Sequence, residues 1–224
     1  MTNDSREDWH ALNDLIRLEK DYTLRVNGEG IVRASPDQAT ISLGVRTENS
    51  DPASAQQENA LIVANMLTSM TSLGIPDDHI KTTDYRIEPQ YDFQDGKEIF
   101  RNYKVTHMID ILTSQIDQVG VIVDTAVKNG ANSVSNIRFS LANPELVYNQ
   151  ALSISLRNAY QKALAITQTI RTTLAPTPLK VVELSGEPLP VLYQANVFSK
   201  AAATPIQPGE LTISARVQVE YEYK

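Results

Sequence analysis

Three histidines, His10, His79 and His107, are the side chains of this sequence whose ordinary proton affinity suits acid–base work near neutrality. They stand apart from one another, with no His-Glu-x-x-His and no paired ligand spacing, so a metal site would have to be assembled from distant segments. The chain has no cysteine, which removes disulfides, thiolate ligands and cysteine nucleophiles in one step. His107 shares a period-of-two face with Val105, Ile109 and Ile111, the setting of a satisfied core or interface histidine rather than a general base. Carboxylate pairs occur at Asp77-Asp78, in a turn, and at Glu220 with Glu222, alternating outward on a strand; both read as solvated surface. Gly28-Glu-Gly30 opens like a dinucleotide fingerprint, but it lacks a third glycine and leads into a strand, not into a helix whose N-terminus would bind pyrophosphate. A bulge or a close backbone approach accounts for both glycines. With no Gly-x-Ser-x-Gly elbow, Walker loop or kinase signature, the expected catalytic, cofactor-binding and metal-binding residues are none. The competing catalytic reading is a metal-free or oxygen-ligand hydrolase in which His107 and nearby acids would act.

Composition narrows the partners. The 224 residues, 42% hydrophobic and 21% charged, are those of an ordinary globular protein with enough chain to bury a proper core. A formal charge of −7, from 27 acidic and 20 basic residues, opposes association with phosphate backbones and anionic membrane surfaces, so neither nucleic acid nor membrane is an expected partner. No window approaches the roughly 20 apolar residues that span a bilayer. The amino terminus, Met1 to His10, carries acids where a signal peptide needs a basic start and an apolar run. The expected location is cytoplasmic, with the periplasm or cell surface as the alternative if a signal peptide has been removed.

The elements follow from period and punctuation. Residues 1–20 carry the pattern of a short amphipathic helix, with Ser5 and Asp8 at capping-box spacing and Trp9, Leu12, Leu15 and Ile16 on one stripe, and read either as a frayed terminal tail or as an arm that docks on a neighbouring subunit. A strand from Tyr22, bulged at Gly28-Glu-Gly30, and a second placing Ala39, Ile41, Leu43 and Val45 on one face are expected to form a hairpin around Ser35-Pro36-Asp37. Asp51-Pro52 starts a helix with Ala60, Ala64, Leu67 and Thr71 recurring on its stripe, closed by Gly74. Strands over 80–91 and 103–113 join across Asp95-Gly96.

Ser114 with Asp117 starts a further helix carrying Ile116, Val119, Val123 and Val127 and ending at Lys128 and Gly130. A short strand follows with Ile137, Phe139 and Leu141. Asn143-Pro144-Glu145 then opens the longest helix, to about Arg171, with Leu152, Ala159, Ala163, Ile166 and Ile170 inward. Strands at 179–184 and 211–223 close the chain, the last with Leu211, Ile213, Ala215, Val217, Val219, Tyr221 and Tyr223 on one face. Between them the loop 186–208 carries Val191, Leu192, Tyr193, Val197 and Phe198, more apolar surface than a solvated linker needs. The fold class is α+β in two sheet-plus-helix halves with mixed, mainly antiparallel strands: ββαβ over 21–96 and βαβαββ over 97–224.

In order and spacing, these motifs resemble the SIMPL-domain family. The residues that carry the resemblance are Gly28-x-Gly30 with Pro36-Asp37-x-Ala39; Ile80-x-Thr82-x-x-Tyr85-x-Ile87-x-Pro89-x-Tyr91; Gly130-Ala-Asn132 with Phe139; Ala159-x-x-Lys162-Ala163; and Pro205-Ile206-x-Pro208-Gly209-Glu210. The resemblance implies an α+β fold, ring-like or channel-like homo-oligomers, frequent export to the bacterial periplasm or cell surface, and links to oxidative-stress defence. Two departures stand out. The acidic arm takes the place of a signal peptide, and Thr172-Thr-Leu-Ala-Pro176 stands where glycine-containing turns are common. The expected function is a homo-oligomeric scaffold or binding module whose partner is a second copy of itself. It would assemble through strand edges, the 186–208 loop and the terminal arm. The alternative partner is another protein, bound by an adaptor.

Overall fold

The computed structural model describes residues 22–184, 191–193 and 204–224. The expected arm helix over 1–20 and most of the 186–208 loop lie outside the described residues. The chain divides into two compact units. One gathers the described parts of Met1–Arg33, Asn143–Val191 and Thr212–Lys224; the other gathers Ala34–Ala142 with those of Leu192–Leu211. The architecture is α+β, and Gly96, the expected boundary between halves, lies at a hairpin tip inside the second unit.

In the first unit, β1 (Thr23–Ala34) lies beside β8 (Glu210–Glu222), which pairs antiparallel with β6 (Lys180–Glu183); β7 (Val191–Tyr193) also pairs with β8. The expected alternation of β8 holds, with Leu211 through Tyr221 buried at every second position. On the opposite face of this sheet, side chains pair across β1 and β8: Arg25 with Glu220, Asn27 with Gln218 and Glu29 with Arg216. A helix, numbered α3 in chain order (Pro144–Thr169), packs its line of Ala151, Ser155, Ala159, Ala163 and Thr167 on the apolar face. These small residues recur every fourth position, so the helix lies directly on β1. Ile166 and Ile170, expected inward, are instead exposed, because side chains of that size would hold the helix off the strand.

That close approach explains the glycines of β1. Burial alternates without a break along the strand, and Arg25, Asn27 and Glu29 meet Glu220, Gln218 and Arg216 in constant register, so the expected bulge gives way to the alternative of backbone contact. A Cβ on Gly28 would lie 1.9 Å from the Ser155 carbonyl oxygen, and one on Gly30 1.9 Å from that of Ala151.

In the second unit, the sheet order is β3 (Ile80–Gln94), β4 (Lys97–Thr113), β2 (Gln38–Asn49), β5 (Ser133–Ser140), all antiparallel neighbours. The hairpin expected between the first two strands does not form: β1 and β2 belong to different sheets. Asp37 shows why, since its N–H donates to Ser140 O and its carboxylate accepts from the Ala142 N–H, tying the connector to the end of β5. Ala39, Ile41, Leu43 and Val45 are fully buried beneath α1 (Pro52–Ser72) and α2 (Val119–Lys128).

Asp51 caps α1 by accepting from the hydroxyl and N–H of Ser54, and Pro52 occupies its first turn, as expected. Its buried line is Ala55, Asn59, Val63, Met66 and Met70, one position round from the expected stripe, and Ala60 and Ala64 face solvent. Asn59 sets this rotation: it is buried, and its amide donates to Val45 O at 3.1 Å. In α2 the inward residues are Val119, Ile122, Val123 and Ala126, whereas Val127 is exposed.

Candidate functional site

The feature of the second unit that its core does not account for begins where β2 stops. The last residue of β2, Asn49, pairs with Tyr103. Beyond that point β3 and β4 continue, paired to each other from Gln90↔Asn102 to Gln94↔Lys97, as a two-stranded ribbon. The ribbon is closed by Asp95 at φ +52° and Gly96 at φ +77°, the double positive φ of the tight turn that this dipeptide favours.

Alternation gives the ribbon two unlike faces. Tyr85, Ile87, Pro89, Tyr91 and Phe93 share one face of β3. The facing strand adds Phe100 and Tyr103, with ring centroids 6.0 Å apart for Tyr91–Phe100 and 5.1 Å for Phe100–Tyr103. Between Gln90 and Tyr91 the register slips by one, making Arg101 the extra residue of a bulge; its guanidinium lies 3.8 Å from both Glu48 and Asp92. Arg86, 2.9 Å from Asp84 and 3.6 Å from Glu88, continues the charged face. The polar face is thus supplied with partners, while the apolar face is open: Phe93 is 74% exposed, Tyr91 50% and Tyr85 45%. An isolated two-stranded hairpin is at best marginally stable in water, and exposed aromatic surface of this extent marks a contact site.

His107 stands at the base of that face, opposite Val45 on one side and Tyr85 on the other. Its Nε2 is 3.1 Å from Thr82 Oγ1, and its ring meets Tyr85 edge-on at 5.2 Å. Among the described residues Thr82 is its hydrogen-bond partner, and no carboxylate orients the ring as a catalytic base requires. His79 sits in the separate 3-10 turn Asp77–His79, beside the Asp77-Asp78 pair, and His10 lies outside the described residues. The Glu220 and Glu222 carboxylates are engaged by Arg25 and Lys224. Among the described residues, no group of three or more acids and histidines gathers to hold a metal, and no helix is long and apolar enough to cross a membrane. The cleft between α1 and α2, lined by Thr68, Ser72 and Lys128 among others, offers hydroxyls already donating within α1, Thr68 to Ala64 O and Ser72 to Thr68 O.

Burial holds the His107 imidazole below its ordinary value of 6.5. The unfolded chain therefore takes up this proton at higher pH than the folded chain, and stability is lost as pH falls through the unfolded-state value. The carboxyls of Asp51, Asp124 and Glu220 are held low by hydrogen bonds from Ser54, Thr204 and Arg25, so their contributions fade only in the more acidic carboxylate range. Thermal melts between pH 7 and pH 5, at a dilution where the chain is monomeric, should therefore show a smaller acid-induced drop for His107→Gln than for the wild-type chain; equal drops would remove His107 from this role.

Most motif residues noted in the sequence have packing or pinning work. Asn132 uses its side chain to bind both the N–H and the carbonyl of Arg46, at 2.7 Å each. Lys162 donates to Asn27 O, and Ile206 packs against the second unit's core. Tyr85, Ile87 and Tyr91 are the large apolar members left exposed. Alternation and the Asp95-Gly96 turn make their strand legible in the sequence, but its projection beyond β2 depends on β2 ending at Asn49, which only the fold shows.

The chain matches the family model SIMPL, described as a protein of unknown function (DUF541), over residues 24–221. It is 26% identical to the uncharacterized protein YggE of Escherichia coli K12 over 195 residues, covering 87% of this chain and 78% of that protein. It is 27% identical to the 26 kDa periplasmic immunogenic protein of Brucella melitensis over 212 residues, covering 90% and 84%. YggE of Edwardsiella ictaluri is 25% identical over 201 residues, covering 87% and 84%. The chain belongs to the SIMPL family.

Proposed function

We propose that this chain is a non-catalytic, self-assembling scaffold or binding module whose contact surface is the aromatic face of the β3–β4 ribbon. The observation that carries the reading is the open row of Tyr91, Phe93 and Phe100 on a ribbon whose other face is satisfied by ion pairs. The incomplete environment of His107 supports the non-catalytic part, since a hydroxyl–imidazole pair without an orienting acid lacks the machinery of nucleophilic hydrolysis. The name of the Brucella relative supports the periplasm over the cytoplasm as the compartment. A part in oxidative-stress defence belongs to the same reading through the family resemblance alone. Light scattering coupled to size exclusion, at two concentrations, tests the assembly: a mass of two or more chains is expected, and a monomer at both concentrations contradicts it.

A further inference from the structure

The apolar face of the ribbon is polarised along its length. Glu98 lies opposite Phe93 beside the turn, and between residues 85 and 107 it is the one carboxylate on that face. His107 is the one imidazole, at the other end, against Tyr85. Aromatic and apolar side chains fill the space between. A surface with an acceptor at one end, donors at the other and rings between is complementary to itself when reversed. Superposed in the same direction, two such faces set Glu98 against Glu98, a like-charge contact; reversed, each carboxylate meets a hydroxyl and an imidazole.

Space is available for the reversed arrangement. The core covers Val105 on β4 completely, but Tyr85 and Ile87 on the β3 flank are open, leaving a shelf beside His107 for the tip of a second ribbon. The area is adequate as well. Half-exposed aromatic side chains contribute on the order of 100 Å² each, so five or six per copy cover roughly 1,000 Å² across a pair, the lower bound for a specific interface.

Resting on the self-assembly reading above, we infer that two copies of this chain pack the apolar faces of their β3–β4 ribbons head to tail, the Glu98 carboxylate of each meeting Tyr85 and His107 of the other. The occupant of the aromatic face is therefore a second copy of the same ribbon.

The absence of cysteine makes the test direct, because Gln94→Cys at the exposed tip can carry a single nitroxide label. At about 3.3 Å per residue, Gln94 lies about 17 Å from the crossing point near Pro89 and Tyr103, so pulsed electron resonance on the assembled chain should give a tip-to-tip distance of about 33 Å. A distance under about 20 Å, the tip-over-tip arrangement, overturns the inference. Glu98→Gln supplies a reading of opposite sign: it removes a contact in the head-to-tail pair and should weaken association about tenfold. Tighter association, or none of either change in an assembly that persists, shows that another surface or another occupant is used, and overturns the inference while self-assembly stands. A monomeric labelled chain at every concentration overturns both readings.

Discussion

Gly30→Ala should lower the melting temperature by about 10 °C or abolish folding, although it adds a single methyl group to a strand. The added Cβ would lie 1.9 Å from Ala151 O, 2.6 Å from Ser155 N and 2.9 Å from Ala151 C, all backbone atoms of α3 that cannot swing aside. Relief requires the helix to lift from the strand, which opens the contacts of Val26, Ala159 and Ala163 as well. Overpacking of this kind costs about 3 kcal/mol or more, a large share of the roughly 5 to 15 kcal/mol that holds a domain folded. Gly28→Ala should behave alike, with its Cβ 1.9 Å from Ser155 O and 2.8 Å from the Ala159 Cβ. Gly96→Ala is the contrast: nothing lies within 4 Å of its Cβ, and its φ of +77° leaves only the strain of a left-handed residue, about 1 to 2 kcal/mol. Circular-dichroism melts of the three variants check the order. A wild-type melt for Gly30→Ala would mean that α3 does not press on β1.

The same glycines show how far the sequence carries and where it stops. Two glycines in a strand announce either a bulge or a close approach, and nothing local decides between them; the decision comes from the small residues Ala151, Ser155 and Ala159, more than a hundred positions away. Alternation made β2 and β8 legible, since each buries one face at every second residue. Helix ends were legible at Asp51-Pro52 and Gly74, where capping is local chemistry. Helix rotation was less so. Alanine is apolar enough to read as core anywhere, and on α1 the position that faces the sheet is polar Asn59, bonded to Val45 O. The β1–β2 pairing failed for a related reason: a short turn between two alternating strands reads as a hairpin, while Asp37 is held by Ser140 and Ala142, which only the fold brings near.

The second large effect belongs to the ribbon. Phe93→Asp with Phe100→Asp should reduce the solution mass to that of one chain and lower the melt only by the stability that association lends the folded chain. Both side chains are substantially exposed, Phe93 the more so, and neither belongs to either buried cluster. Their replacement removes little from the core. In a paired ribbon, four buried carboxylates would face apolar surface without partners, at several kcal/mol, enough to shift a dimer's dissociation constant by more than a hundredfold. Projection of the ribbon was hidden in the sequence because strand length alone does not say where the neighbouring strand ends; β2 stopping at Asn49 is what leaves residues 90–102 without a third strand.

The central claim is that copies of this chain meet through the aromatic face of the ribbon. It is tested most directly by light scattering on the wild-type chain and the Phe93→Asp, Phe100→Asp variant, side by side at matched concentration. The account predicts a multiple of 24.8 kDa for the first and 24.8 kDa for the second, with the second still folding cooperatively and melting lower only by the stability that association lends the first. An assembly of the same mass in both would contradict it and place the contact elsewhere on the molecule.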